Sequence, residues 1–456
     1  MRIASLSARV TIALLGAVTI PATPALKAAT ATPSSLASPL ATPAQVEAEQ
    51  VLIALRSDPD IKAAQARVRS ELAQTAIGRT RDGAARIGEV VSQWTNSLIF
   101  KEVLQDRAQP AIVWGTDDTP RTWLGHTISG VGTSGDNPDH IYRSSVVDGS
   151  GRYEIVGRYD RDRPAAQFVV SASPLLPDAE AKPPSATAAG TGSQTSVLSD
   201  RDVEVGADGS FRLLVGGERP ANGRNYIPIA PGQVAIGFRD VLSDWNQRPS
   251  QLTIRRLDNG AGKPLDRRDI KRRVLEHLEP YIHLWSDFPN TWFGGLKPNS
   301  IVGPYPREGG WGFIAGLRFA IGPDEAVLVT TTRGSARYQG IQVIDPWMIA
   351  ADGRRHLTSF NPAQARANAD GSYSFVIAAR DPGVANWLDT AGLHSGFAVL
   401  RWQNFASPTD GAGLVGDFRV IKLADVSKIL GIAIANPAER RRQLAERARA
   451  YGNRTR

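Results

Sequence analysis

The sequence predicts a mainly β protein with α additions, built as two related jelly-roll-like antiparallel β-sandwich domains. An N-terminal helical segment, a linker helix and a C-terminal helix complete this fold class. Three observations support it. The chain of 456 residues is too long for one ordinary core. Short runs of alternating apolar and polar residues, separated by turns such as "DGSG" and "PANG", fill its centre. Two of these β regions also resemble each other.

The N-terminus has the pattern of an export signal. Arg2 and Arg9 precede a short apolar run, and small residues follow near Ala25 and Ala29. The run is too short to cross a bilayer and is typical of a signal peptide, which we place at residues 1–29. We therefore expect an exported protein, periplasmic or secreted, without integral membrane contact. The Thr-, Pro- and Ala-rich residues 30–43 predict a disordered spacer.

The segments that follow differ in their periodicity. "PAQVEAEQVLIALRSDPDIKAAQARVRSELAQ" has apolar residues three and four apart, Pro43 suits a helix start, and Asp58–Pro59 separates two helices. "VVSQWTNSLIFKEVLQD" predicts a third helix. Beyond it, period-two runs indicate strands, interrupted by a loop rich in Pro, Ala, Gly, Ser and Thr at 176–196. The predicted bounds are 44–109 for the helical segment, 110–262 for the first sandwich, 263–290 for the linker helix, 300–425 for the second sandwich and 426–456 for a basic C-terminal helix.

The internal repeat relates the two sandwiches. "DGSFRLLVGGERPANGRNYIPIA" aligns with "DGSYSFVIAARDPGVANWLDTA", and "VAIGFRDVL" aligns with "FAVLRWQNF". An Asn followed by an aromatic residue occurs in both copies, so part of its role must be structural, with the Asn side chain bonding neighbouring backbone groups. The aligned positions are Asn225 with Asn386, Tyr226 with Trp387, and Arg239 with Arg401.

The second copy resembles a known family. "SARYQGIQVIDPW", "RDPGVANWLDTAG" and "GFAVLRWQNF" are similar to the bacterial domain of unknown function 1214, and "GDNPDHIYRSSVVDGSGRYEIVGRY" resembles the segment that precedes it in two-repeat, exported members. The likeness covers roughly residues 94–423. It implies a jelly-roll-like β-sandwich with helical additions, and it implies no established reaction.

Composition and motif spacing exclude several classes. The chain has no Cys, which excludes disulfides and thiolate chemistry. The net charge of +8 comes from the leader and from the Arg-rich residues 439–456, so a nucleic-acid groove is not expected. The six His have no metal-ligand spacing, and neither a Gly-x-Ser-x-Gly elbow nor a phosphate-binding loop is present. We expect no metal and no cofactor.

Candidate catalytic residues lie around "RDPGVANWLDTAG". Asp381 and Asp389 flank Asn386 and Trp387, and two carboxylates in different surroundings can divide acid and base roles. Arg401 could stabilise developing negative charge. Alternatively, Asp381 belongs to an ordinary turn and Arg401 pairs with one Asp to hold the loop.

Candidate substrate-binding residues are spread more widely. "GDNPDHIYRSS" clusters oxygen and nitrogen ligands, which can bind a sugar hydroxyl or simply form an Asx turn. On "SARYQGIQVIDPW", Tyr338 and Gln342 should share one face and Arg337 the other. The candidates are Asn386, Trp387, Trp402, Arg337, Tyr338, Trp347, Asn137 and Tyr142.

Three functions fit these features. The first is a hydrolase or lyase acting on a carbohydrate or small hydroxylated metabolite. The second is a non-catalytic module that binds a glycan or small molecule on tryptophan platforms. The third is a structural envelope protein whose C-terminal helix docks a protein partner.

Overall fold

Four β-sheets, arranged as two sandwiches, form most of the molecule, and α-helices pack around them. The computed structural model describes residues 38–106, 108–174, 194–260, 264–292, 295–307, 309–430 and 436–456. Ser38–Arg456 is one compact unit. The helices are α1 Pro43–Arg56, α2 Pro59–Leu72, α3 Arg81–Val103, α4 Arg267–Trp292, α5 Val426–Leu430 and α6 Pro437–Tyr451.

Eleven strands precede α4 in the described residues and nine follow it. The first group is β1 Val113–Thr116, β2 Arg121–Trp123, β3 His126–Ile128, β4 His140–Asp148, β5 Tyr153–Arg158, β6 Gln167–Pro174, β7 Ser196–Ser199, β8 Ser210–Val215, β9 Tyr226–Ile227, β10 Gln233–Val241 and β11 Gln251–Arg256. The second is β12 Ser300–Pro306, β13 Gly312–Ala320, β14 Glu325–Thr331, β15 Ala336–Ile344, β16 Ser359–Phe360, β17 Tyr373–Ala378, β18 Trp387–Asp389, β19 Ser395–Phe405 and β20 Val415–Lys422.

The two sandwiches share one strand order. Sheet 1 runs β1-β4-β10-β6-β7 and sheet 2 runs β11-β5-β8-β9. Their counterparts are sheet 3, with β12-β13-β19-β15-β16, and sheet 4, with β20-β14-β17-β18. The predicted fold class is thus confirmed, with one difference. The last pair of sheet 2 and of sheet 4, β8–β9 and β17–β18, is parallel, so both sheets are mixed.

The helical segment begins where the sequence predicts. The side chains of Thr42, Asp58 and Thr80 accept hydrogen bonds from the first turns of α1, α2 and α3, which satisfies backbone N–H groups that have no partner within the helix. The apolar faces of these helices and of α4 form one core, in which Trp94, Leu278 and Ile282 are fully buried.

Several predicted segments fall wholly or partly outside the described residues. These are the signal peptide, residues 30–37 of the spacer, and most of the 176–196 loop. The spacer prediction is wrong for residues 38–43. Leu40 is 2% exposed and the Ser38 hydroxyl donates to Arg454 O, so apolar burial and a backbone contact order this stretch. Among the described helices, none is long and apolar enough to cross a membrane.

Sheets 1 and 3 bring the two sandwiches together. Alternate residues of β10 enter the first core, which leaves Arg239 on the opposite face of sheet 1. By the same alternation, Leu400 and Trp402 of β19 enter the second core and leave Arg401 on the opposite face of sheet 3. Hydrogen bonds join the two outer faces, including one from Gln167 Nε2 to Trp311 O at 3.2 Å.

Candidate functional site

The predicted corner between Arg380 and Gly392 is held by protein contacts throughout. Both Asp381 carboxylate oxygens accept from Arg440 of α6 at 2.9 Å. Asp389 Oδ2 is 2.7 Å from His356 Nδ1, and this contact, opposed by burial, raises the pKa of His356. The Trp387 indole N–H donates to Ala378 O at 2.9 Å. Each predicted catalytic group at this corner therefore already has a partner within the protein.

The Asn of this corner has the same role in both sandwiches. Asn386 Oδ1 accepts from Arg366 N, and its Nδ2 donates to Arg366 O. Asn225 bonds in the same way to both backbone groups of Glu204. A structure repeated so closely in both copies is architectural, as the sequence repeat predicts.

The other predicted site residues lie elsewhere. Arg401 is on sheet 3, whereas Asp381 and Asp389 lie beside sheet 4, so the structure does not bring the three predicted catalytic residues together. The prediction of apolar platforms fails for Trp347 and Trp402, which are fully buried and donate their indole N–H to Gly83 O and Thr332 O. The predicted binding residues therefore divide into core residues and residues at the junction of the sandwiches.

Tyr338 and Asn137 belong to a buried network at that junction. Asn137 Nδ2 donates to Tyr338 Oη at 2.6 Å, and Tyr338 Oη donates to Asp139 Oδ2 at 2.8 Å. Asp139 Oδ1 accepts from Trp245 Nε1 and Asn361 Nδ2. As predicted, Tyr338 and Gln342 share this face of β15. Arg337, on the alternate position, is exposed. The network ties the sandwiches together and leaves no room for substrate between these atoms.

A cavity of about 210 Å³ lies beside the network, between sheets 1 and 3. Four arginines line it. Arg143 of β4 is paired with Asp240, whereas Arg239 from β10, Arg307 after β12 and Arg401 from β19 have no carboxylate partner among the described residues. Arg307 and Arg401 are each 8% exposed. The guanidinium carbons of Arg307 and Arg239 lie 4.5 and 5.5 Å from the centroid of the Trp311 ring. Because Arg239 and Arg401 are aligned in the repeat, equivalent positions of the two sandwiches supply charge to one cavity.

The backbone explains how these groups converge. Tyr142 pairs directly with Arg239 in the β4–β10 ladder, and Ile314 pairs with Arg401 in the β13–β19 ladder. All four side chains line the cavity. Gly135, at φ 73°, adopts a conformation that favours glycine and directs its carbonyl to Arg401 Nη2 at 3.1 Å. This loop fixes Arg401 without neutralising it.

The cavity is strongly positive. Burial, with the neighbouring charges of Arg239 and Arg401, lowers the pKa of Arg307 to about 9. Burial and the charge of Arg401 also lower the pKa of Arg239, against the opposing effect of Tyr142. The pKa of His140 is well below its usual range because of burial and the three arginines. His140 is therefore neutral at pH 7, while the arginines stay charged and repel one another.

Several polar atoms in the cavity wall have no hydrogen-bond partner among the described residues. They are the nitrogen atoms Arg239 Nη1, Arg143 Nε, His140 Nε2 and Trp311 Nε1 and the carboxylate oxygen Asp136 Oδ2, each buried. Within the described parts of the chain, no carboxylate forms an ion pair with Arg239, Arg307 or Arg401. Buried polar groups in proteins are normally paired, and an unpaired cation in a cavity is the exception that calls for a ligand.

A carboxyl pair adjoins the arginines. Asp136 lines the cavity, and its charge disfavours ionisation of the neighbouring, buried Asp118. Burial raises the pKa of Asp136 to about 7, and burial together with the charge of Asp136 raises the pKa of Asp118 well above its usual range. The pair can therefore exchange a proton near neutral pH.

One group of possible metal ligands occurs among the described residues. Oxygen and nitrogen atoms of Glu71, Glu279 and His283 lie within 4.8 Å of one another on α2 and α4. All three side chains are exposed, and exposed acidic groups commonly adopt such arrangements without a cation. We assign no metal site there.

The comparisons with known proteins bear on the fold. No family model matches the chain, and no curated protein matches it either. The resemblance to the domain of unknown function 1214 therefore remains a prediction. A crystal structure of an uncharacterized protein from Burkholderia cenocepacia is similar, with 24% identity and a TM-score of 0.63 over 83% of this chain and 99% of that one. The VPA0106 protein from Vibrio parahaemolyticus aligns at 10% identity with a TM-score of 0.38, over 74% of this chain and 97% of that one. The Burkholderia structure supports the two-sandwich fold.

Some predicted site residues line this cavity, although the sequence does not predict the cavity itself. They are Tyr142, predicted to bind substrate, and Arg401, predicted to act with Asp381 and Asp389; Asp136 and His140 belong to the "GDNPDH" segment, whose alternative interpretation is an Asx turn. Arg307 and Trp311 were missed because nothing in "PREGGWG" distinguishes a cavity wall from a turn. The available signal was the alignment of Arg239 with Arg401, since a charge kept at the same position of two repeats suggests a shared surface.

Proposed function

We propose that the protein binds a small organic anion in the cavity between its two sandwiches. The observation that carries the proposal is the convergence of Arg239, Arg307 and Arg401 on one buried space without a carboxylate partner in the described residues. Guanidinium groups are suited to this role because their planar forks match carboxylate oxygens, and burial strengthens the attraction. This is the binding-module hypothesis with an anion, rather than a glycan, as ligand.

The composition of the cavity wall and the volume of the cavity support an organic ligand. Trp311, Phe288 and Ile314 supply apolar surface, while the charged groups supply orientation. Apolar walls with a few fixed polar groups are the usual composition of small-molecule sites. A cavity of about 210 Å³ accommodates roughly 14–21 non-hydrogen atoms, if each takes the ~10–15 Å³ needed by a water.

The test is a thermal-shift screen at constant ionic strength. Sulfate, phosphate and a series of carboxylates are each compared with chloride, because a ligand that binds only the folded state raises the melting temperature by mass action. We expect at least one carboxylate to raise it, and Arg239→Gln to remove the effect. Arg441→Gln, which removes the same charge from an exposed position on α6, should retain it. Equal shifts in both variants, or none in the wild type, would contradict the proposal.

Catalysis in the same cavity is a second candidate, favoured by the Asp118–Asp136 pair. A carboxyl group with a pKa near 7 is suited to general acid–base chemistry, which keeps the hydrolase or lyase hypothesis as a proposal. Its site would be this cavity, since the corner carboxylates Asp381 and Asp389 are bound to Arg440 and His356. Asp136→Asn distinguishes the two functions. An enzyme should lose product formation while binding persists, whereas a binding module forms no product in either case.

The structural-partner hypothesis has less support. The C-terminal helix uses its buried arginines within the chain: Arg440 binds Asp381, Arg447 binds Ser359, and Arg454 lies 3.7 Å from Asp117. These contacts occupy three arginines of the basic C-terminal segment, whereas others, such as Arg441 and Arg442, are exposed. Export to the periplasm or beyond remains a proposal that rests on the leader sequence.

A further inference from the structure

Resting on this proposed function, we infer that the ligand is a short dicarboxylate whose two carboxylates bind at separate arginine positions in the cavity. One position is formed by Arg239 and Arg307, which lie over the same Trp311 ring. The other is Arg401, which belongs to the opposite sheet and is held there by Gln342 and Gly135.

The charge balance favours a ligand with two negative groups. Of the four lining arginines, Arg143 is neutralised by Asp240, which leaves three cations, and Asp136 is the carboxyl group among the described lining residues. A single carboxylate would leave mutual repulsion between buried guanidinium groups, which is costly where solvent screening is weak. Two carboxylates come closer to balancing the three positive charges, and one part-ionised Asp136 accounts for much of the remainder.

Hydrogen-bond donors are present at both arginine positions, so each position could bind one carboxylate. Arg239 Nη1 and Trp311 Nε1 have no partner among the described residues, and both belong to the first position. His140 Nε2 is likewise unpartnered, while its Nδ1 lies 3.0 Å from Tyr142 Oη. Arg401 uses Nη1 and Nη2 for Gln342 and Gly135, which fixes its plane and leaves further N–H groups available.

The apolar wall favours a carbon linker over a phosphate ester. Phe288 and Ile314 line the same space as the arginines and have no polar atom to offer. A methylene chain between two carboxylates would bury apolar surface against them, at about 0.8 kcal/mol per CH₂. A phosphate monoester would place both charges on one group and leave the second arginine position without a partner.

The experiment is a calorimetric titration at constant ionic strength with straight-chain dicarboxylates of four to eight carbons. Each is compared with the monocarboxylate of equal length, and phenyl phosphate serves as the phosphate-ester probe. We expect one dicarboxylate to bind at least about tenfold more tightly than its monocarboxylate, since charge-assisted hydrogen bonds contribute most at buried sites. Arg307→Gln should remove most of this preference, and Arg441→Gln should retain it.

The outcomes separate this inference from the proposed function. If a dicarboxylate and the monocarboxylate of equal length bind equally well, or if phenyl phosphate binds more tightly, the dicarboxylate inference is wrong and the anion site is unaffected. Absence of binding by every anion would overturn both. Arg401→Gln provides a second variant from the other sheet. It too should reduce the preference for the dicarboxylate, and an unchanged preference in both variants would contradict the two-position model.

Discussion

The corner at Arg380–Gly392 and the cavity between the sandwiches are both rich in charged and aromatic residues, yet their side chains are used differently. At the corner, Asp381, Asn386 and Trp387 each bond to a protein group. In the cavity, Arg239 Nη1 and Trp311 Nε1 are buried without a partner among the described residues. Polar composition alone does not separate architecture from a binding site. What distinguishes the cavity is that unpartnered polar atoms and arginine side chains face one common space.

The largest expected effect tests the corner as architecture. Asn386→Ala should lower the free energy of unfolding by about 3 kcal/mol, because it leaves the buried carbonyl of Ser374 and two part-buried backbone groups of Arg366 without partners. Asn225→Ala, the equivalent change at a more exposed position, should cost only about 1 kcal/mol. Urea denaturation measures both. A cost below about 1 kcal/mol for Asn386→Ala would show that the corner is not a structural element.

The next effect concerns the Asp118–Asp136 pair. Because burial raises both folded-state pKa values above the unfolded value, the folded protein holds more protons than the unfolded chain between about pH 4 and pH 7. This contribution to the free energy of unfolding therefore falls as pH rises through that range. Anion affinity should decline at higher pH, as pH rises through about 7 and Asp136 becomes charged in the folded protein.

Asp118→Asn isolates the pair from other titrating groups. The amide removes one ionisation and keeps a polar side chain beside Asp136, so the variant should show a shallower loss of stability between pH 4 and pH 7. Denaturation of both proteins at several pH values gives the difference, in which contributions of groups such as His356 cancel. Identical slopes would mean that the pair does not share a proton.

A smaller effect is expected from the repulsion between the cavity arginines, which should lower the stability of the ligand-free protein. Arg239→Gln removes one of three neighbouring cations, so the ligand-free variant should be as stable as the wild type or more stable, by up to about 1 kcal/mol. Thermal unfolding in chloride buffer checks this. A loss above about 1 kcal/mol would indicate that Arg239 is a structural residue, like those of the corner.

The sequence predicted the fold well because its signals are local and repeated. Pro43, Asp58–Pro59 and the alternating strands set the element positions, and the repeat predicted that the two sandwiches are alike. The sequence did not predict which sheet each strand joins. Asp389 and Arg401 are near in sequence but lie in different sheets, and no local pattern states which sheet a strand joins.

The same limit explains the tryptophans and the cavity. Trp402 occupies a core position of β19 and Arg401 its neighbour on the opposite face, a difference that depends on which face meets the other sandwich. Arg307 and Trp311 approach Arg239 only across the junction between sheets 1 and 3. Contacts between segments that are distant in the sequence determine this geometry, and the spacing of residues within one segment does not reveal those contacts.

Anomalous diffraction from crystals soaked in iodide would show directly whether an anion binds between the two sandwiches. Iodide reports buried positive potential without assuming which organic anion is the ligand. We expect an iodide in the cavity, in contact with Arg239, Arg307 or Arg401. A carboxylate that binds the protein should displace this iodide when it is added. Iodide confined to the molecular surface, with the cavity unoccupied at high concentration, would contradict an anion site between the sandwiches.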